Sequence, residues 1–138
     1  MKKEIKFTFE KWSNNPYYQD GKKYTYGDCV IRAISKATGK GWFDVYDMLC
    51  AKGRELGDFG DRSTIYPVVL KELGFIEHSC PRLKGVKAMN VQKFIEEHPQ
   101  GTYVLRLAHH ATAVVDGVCY DTWYPQAESV YRYWELKK

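Results

Sequence analysis

The chain has no Cys-x-x-Cys pair and no histidine pair at metal-ligand spacing, which argues against a structural zinc site. No apolar run approaches the length needed to span a membrane. The first residues, Met-Lys-Lys-Glu-Ile-Lys-Phe, are charged and hold no apolar signal core. A cytoplasmic protein with reduced thiols and no membrane partner is therefore expected, although four cysteines would suffice for two disulfides. There is no internal repeat, low-complexity tract or linker, so 138 residues are read as a single domain, 1–138. Charge of one sign is also scarce. The net charge is only +4 and the lysines are scattered, so no basic stripe points to a nucleic-acid partner. Aromatics are abundant, with 11 Tyr and 4 Trp, which favours an aromatic-lined cleft or binding surface.

The first half reads as helical. Val30, Ala33, Ile34 and Ala37 recur at helical spacing over 29–38, with Gly39 placed to end the helix. Asp28 fits its N-cap. A second helix is expected over 42–52, where Trp42, Val45, Tyr46, Leu49 and Cys50 form one stripe that assigns Cys50 to the core. A third spans 64–73, with Ser63 or Thr64 as cap and Pro67 in the first turn. Residues 75–80 read as a short strand or loop. A fourth helix covers 91–98, with Asn90 as N-cap and Met89 stapled onto Phe94.

Residues 4–9 alternate polar and apolar, as a strand would. From residue 102 the character changes. Segments 102–107, 110–116, 118–124 and 129–136 are rich in Tyr, Val, Thr and Trp, divided by turns such as Asp116-Gly117. The pattern predicts an α+β fold, with an N-terminal helical part packed on one side of a C-terminal antiparallel meander.

Candidate chemistry starts at Gly27-Asp28-Cys29. A thiol at the first turn of a helix meets the positive end of the peptide dipoles, which favours the nucleophilic thiolate. Taken alone, Cys29 equally fits a small apolar residue packed at a helix start. A nucleophile needs a base, and His110 opens a strand. Across the Asp116-Gly117 turn, Val115 pairs with Val118 and Ala113 with Tyr120, which puts Thr112 opposite Asp121 and His110 opposite Trp123. His110, Thr112, Asp121 and Trp123 then share a face, with the Asp121 carboxylate diagonal to the imidazole. A carboxylate there fixes the tautomer and stabilises imidazolium, leaving the other ring nitrogen for a thiol. His109 is expected to point away.

A helix-borne Cys followed by a sheet carrying His110-Ala111-Thr112-Ala113-Val114 and then Asp121-Thr122-Trp123 resembles the papain-like cysteine peptidases. The longer stretches Gly-Asp-Cys-Val-Ile-Arg-Ala-Ile, His-Pro-Gln-Gly-Thr-Tyr-Val-Leu and His-Ala-Thr-Ala-Val-Val-Asp-Gly are similar to small phage-associated proteins of that group. The resemblance implies a papain-like fold, no cofactor and no metal. It also implies a peptide or protein substrate, and a phage-encoded protein acting inside the host cell. By it Cys29 is the nucleophile, His110 the general base and acid, and Asp121 the orienting group, while Trp123 shields the His–Asp bond. The family's oxyanion glutamine, six residues before the cysteine, is replaced by Lys23; Gln19 is the nearest glutamine and the candidate for that role. The implied activity is hydrolysis of peptide or isopeptide bonds through a thioester. The rivals are an acyltransferase or peptidoglycan amidase on the same fold, or an inactive binding module.

Overall fold

The computed structural model describes residues 7–18, 27–80 and 84–137. Ten elements run in the order β1 (Phe9–Lys11), α1 (Cys29–Thr38), α2 (Trp42–Leu56), α3 (Tyr66–Glu72), β2 (Phe75–Ser79), α4 (Val91–Glu97), β3 (Thr102–Leu107), β4 (His110–Val115), β5 (Val118–Asp121) and β6 (Arg132–Leu136). The fold is α+β. The strands form one sheet in the order β1-β5-β4-β3-β6-β2.

This sheet is not the simple antiparallel meander expected. β3, β4 and β5 do meander, and Asp116 and Gly117, both at positive φ (49° and 78°), make the tight turn between β4 and β5. The outer edge of β5 is then taken by β1, which runs parallel to it with Phe9 opposite Cys119 and Lys11 opposite Asp121. With that edge occupied, β6 crosses to the free edge of β3, and β2 adds antiparallel beyond it. Of the strand expected over 4–9, residues 4–6 lie outside the described residues and 7–8 are not in a strand; β1 runs over Phe9–Lys11, where Phe9 stacks on Tyr124 at 4.9 Å.

The helices cover both faces, not one. α1, α2 and α3 bury Val30, Ile34, Val45, Leu49, Val69 and Leu70 against Val104, Ala111, Ala113 and Trp134. α4 buries Val91, Phe94 and Ile95 against Tyr103, Leu105, Val114 and Cys119 on the opposite face. This division goes with β3 and β4, in which both sets of alternating positions hold buried residues and so need cover on two sides. Trp134 is 1% exposed and meets Tyr66 edge to face at 5.4 Å. Truncating such a residue to alanine costs about 3–5 kcal/mol.

α1 ends where Gly39 turns left-handed (φ 77°) and its N–H bonds to the Ser35 carbonyl. α2 runs longer than expected and buries only Val45, Leu49 and Gly53, so Tyr46 and Cys50 face outward and Cys50 is exposed. The five-residue stripe was too wide for a helix that touches the core along one narrow line. Gly60 sits against that helix; a Cβ there would come within 2.6 Å of the Leu49 Cβ and carbonyl oxygen. α3 starts at Tyr66 with Ile65 as N-cap, because the Thr64 hydroxyl is spent on Asp58 (2.6 Å). In α4 the Asn90 side chain caps Lys93 N–H at 2.8 Å, as expected. No described helix is long and apolar enough to cross a membrane.

Candidate active site

Cys29 is the first residue of α1, and the helix delivers its half-buried side chain to a cleft of about 600 Å³. His110 lines the same cleft from the start of β4. A two-residue turn after β3 puts it there, with His109 held in the left-handed region (φ 53°) while Leu107 pairs with His110. His109 thus sits in the turn, and its neighbour enters the sheet.

Asp121 ends β5, and its carboxylate is 1% exposed. Its Oδ2 accepts from His110 Nε2 at 2.6 Å, the diagonal contact expected from the hairpin register. The imidazole is 13% exposed. Burial disfavours its charge, but hydrogen bonding of the protonated ring to Asp121 and toward Cys29, with the Asp121 charge and the influence of the Cys29 sulfur, outweighs that cost and raises the ring from 6.5 to about 9. Asp121 moves the other way. Burial alone would raise it, yet the His110 hydrogen bond and charge, with Arg32 behind, hold it below the usual carboxylate range. Both shifts describe a carboxylate–imidazolium pair at neutral pH, with Nε2–H donating. Nε2 being committed, Nδ1 is the nitrogen left for the thiol.

The carboxylate has a second anchor that its strand position does not reveal. Arg32, on the buried side of α1, sends Nη1 to Asp121 Oδ1 at 2.7 Å and Nε to Asp28 Oδ1 at 3.0 Å. Thr122 N–H adds a third bond to Asp121, at 2.7 Å. Asp28 does not cap the helix with its side chain, as the sequence suggested. It is 4% exposed and faces inward, where its carboxylate also accepts from Asn15 Nδ2 and Trp42 Nε1, each at 2.9 Å. A buried carboxylate with such donors on offer gains more from them than from one backbone amide. Asp28 and Asp121 are thus balanced by Arg32 and protonated His110, so no buried charge stands alone. Arg32 could have been found from its spacing: it is four residues after Asp28 and lies inside an apolar helical stripe, where an arginine needs a reason to be.

Trp123 is 46% exposed and lies with its ring 5.0 Å from the His110 ring, tilted at 41°. It covers one side of the imidazole. Gln19 and Lys23, the candidate and the replaced oxyanion positions, lie outside the described residues. The Cys29 backbone N–H, at the first helical position, has no acceptor within its helix. Among the described residues no cluster of His, Cys, Asp and Glu could hold a metal ion. The other cysteines stand apart: Cys119 is buried and pushed up to about 12 by burial, and its sulfur meets the Thr112 hydroxyl at 3.3 Å.

No protein-family model, curated protein or solved structure matches the chain.

Proposed function

We propose that the protein is a thiol hydrolase of peptide or isopeptide bonds, with papain-like architecture and Cys29, His110 and Asp121 in the roles that the sequence motifs suggest. The observation that carries this reading is that Cys29 and His110 line the wall of one open cleft, with the His110 imidazole bonded to the buried Asp121 carboxylate. It is supported by a helix N-terminus under the thiol and by a second, buried cation holding the carboxylate.

In the first step the Cys29 thiolate adds to the carbonyl carbon, forming the C–S bond. The oxyanion falls near the Cys29 N–H, which opens the helix. Protonated His110 then gives its Nδ1 proton to the departing nitrogen as the C–N bond breaks, leaving a thioester and a neutral imidazole. In the second step His110 takes a proton from water, the hydroxide adds to the thioester, and the C–S bond breaks to release the acid. Asp121 keeps the ring oriented throughout and offsets its charge. Trp123 limits water at the His–Asp bond.

The thioester is the testable intermediate. Mixing the protein with an activated acyl ester and quenching in acid is expected to show one acyl group on Cys29 by mass spectrometry, decaying with time. Acylation spread over the exposed Cys50, or none at Cys29, counts against the proposal.

A further inference from the structure

The cleft is not electrically neutral. Arg106 and Arg62 both line it, and the one carboxylate on its wall among the described residues is the exposed Asp61. Arg62 lies at the surface, its guanidinium 5.9 Å from the Phe59 ring. Arg106 is different. It is half-buried, the fifth residue of β3, whose other five residues are all buried.

Its partners across the sheet are Ala111 on β4 and Arg132 on β6. Opposed residues share a face, and Ala111 belongs to the face covered by α1. Arg106 therefore projects to the side on which Cys29 lies. The Tyr66 phenol reports the same placement. Burial raises it to about 12, Arg106 is the first influence pulling it back, and Cys29 acts on it as well.

Two cations directly opposite on neighbouring strands destabilise each other. Arg132 is relieved by Glu77, 3.5 Å from its Nη1. Arg106 has no carboxylate within ion-pair distance among the described residues, so this half-buried residue lines an open cleft with no ion-pair partner of its own. Its planar fork matches a carboxylate with two parallel hydrogen bonds. The requirement that buried charge be paired is met when a ligand brings the anion.

We propose that the cleft selects substrates carrying a carboxylate close to the scissile carbonyl, with Arg106 binding that carboxylate and Arg62 at the rim adding attraction. The inference rests on the reading of Cys29 as the nucleophile and supplies its substrate class. The carboxylate comes either from an acidic side chain or from a peptide C-terminus, and Arg106 recognises the same group in both.

The test uses peptides in which an internal Michael acceptor replaces the scissile amide, so that the thiol is trapped. One pair differs only by Glu or Gln beside the acceptor. The other ends one residue beyond it in a free carboxylate or a carboxamide. The rate of Cys29 modification is measured for each, with iodoacetamide as an uncharged control. In the wild-type protein at least one acidic probe is expected to react about tenfold to a hundredfold faster than its neutral twin, the worth of a charge-assisted hydrogen bond. The pair that shows the preference identifies the source of the carboxylate. Arg106→Gln brings that ratio to about one and Arg106→Lys keeps part of it, the iodoacetamide rate of each variant serving as its own reference. The wild-type ratios decide the matter even if a variant folds poorly. Equal rates within both pairs, with Cys29 still the selectively labelled thiol, overturn the carboxylate inference and leave the thiol hydrolase standing. Loss of selective labelling at Cys29 with every probe overturns both.

Discussion

Arg32 Nη1 and Asp121 Oδ1 are 2.7 Å apart although 89 residues separate them in the chain, and the bond joins the helix that starts with Cys29 to the sheet that carries His110. The same guanidinium holds Asp28 beside the thiol. One buried cation therefore fixes the spacing between the two halves of the site.

Replacing Arg32 by Met removes that cation and leaves two carboxylates buried without it. Breaking one side of a buried charge network costs about 3–5 kcal/mol. Urea denaturation of Arg32→Met is expected to show a loss of that order. Adding Asp28→Asn should recover part of it, because one of the two stranded charges is then gone. A loss below about 1 kcal/mol, the range of an exposed pair, would show that the network does not hold the site.

The His110 imidazole is expected to titrate at about 9 by NMR. In Asp121→Asn the main raising influence is lost and the midpoint falls toward or below the ordinary 6.5, since burial then acts with less opposition. The sign for stability follows. A raised histidine contributes stability that is complete below 6.5 and is lost as pH rises through about 9. Asp121, held low, contributes stability that is present above its ordinary 3.8 and is lost as pH falls through its depressed value. The difference in unfolding free energy between wild type and His110→Gln should therefore shrink between pH 6.5 and 9.

The candidate chemistry was legible in the sequence for a physical reason. Cys29, His110 and Asp121 stand at the ends of elements whose period and turn residues are strong: a helix with one apolar stripe, and a hairpin whose Asp116-Gly117 turn fixes the register. Local rules place such residues. They do not place β6, because the competition for the edge of β5 is settled by β1, more than a hundred residues earlier. Nor do they reveal that Asp28 turns inward, since its donors, Asn15 and Trp42, come from a loop and the next helix. Cys50 fell on an apolar stripe that periodicity alone could not narrow. Nor do local rules single out Arg106, whose setting depends on the pairing of β3 with β6, where Arg132 lies opposite it and Glu77 serves Arg132.

Cys50 is exposed and Cys119 is buried and raised to about 12. A small alkylating reagent at neutral pH should modify the exposed Cys50 at a rate unaffected by His110→Ala. Cys119 should stay unmodified until the protein unfolds. Mass mapping after timed quenching checks both.

Gly60 lies against α2 with no room for a side chain, and the loop it begins carries Arg62 to the cleft. Gly60→Ala forces a Cβ into the Leu49 backbone, and a loss of about 2 kcal/mol is expected from such overpacking. Thermal melting compared with Gly57→Ala is informative, because a Cβ at Gly57 meets open space and only its left-handed φ of 85° is strained.

The most direct measurement is the reaction of a peptide electrophile with the folded protein at neutral pH, read residue by residue by mass spectrometry, in wild type and His110→Ala. The account predicts fast modification confined to Cys29, slowed by about a hundredfold or more when the imidazole is removed. Equal labelling of the accessible cysteines, or a Cys29 rate indifferent to His110, would contradict it.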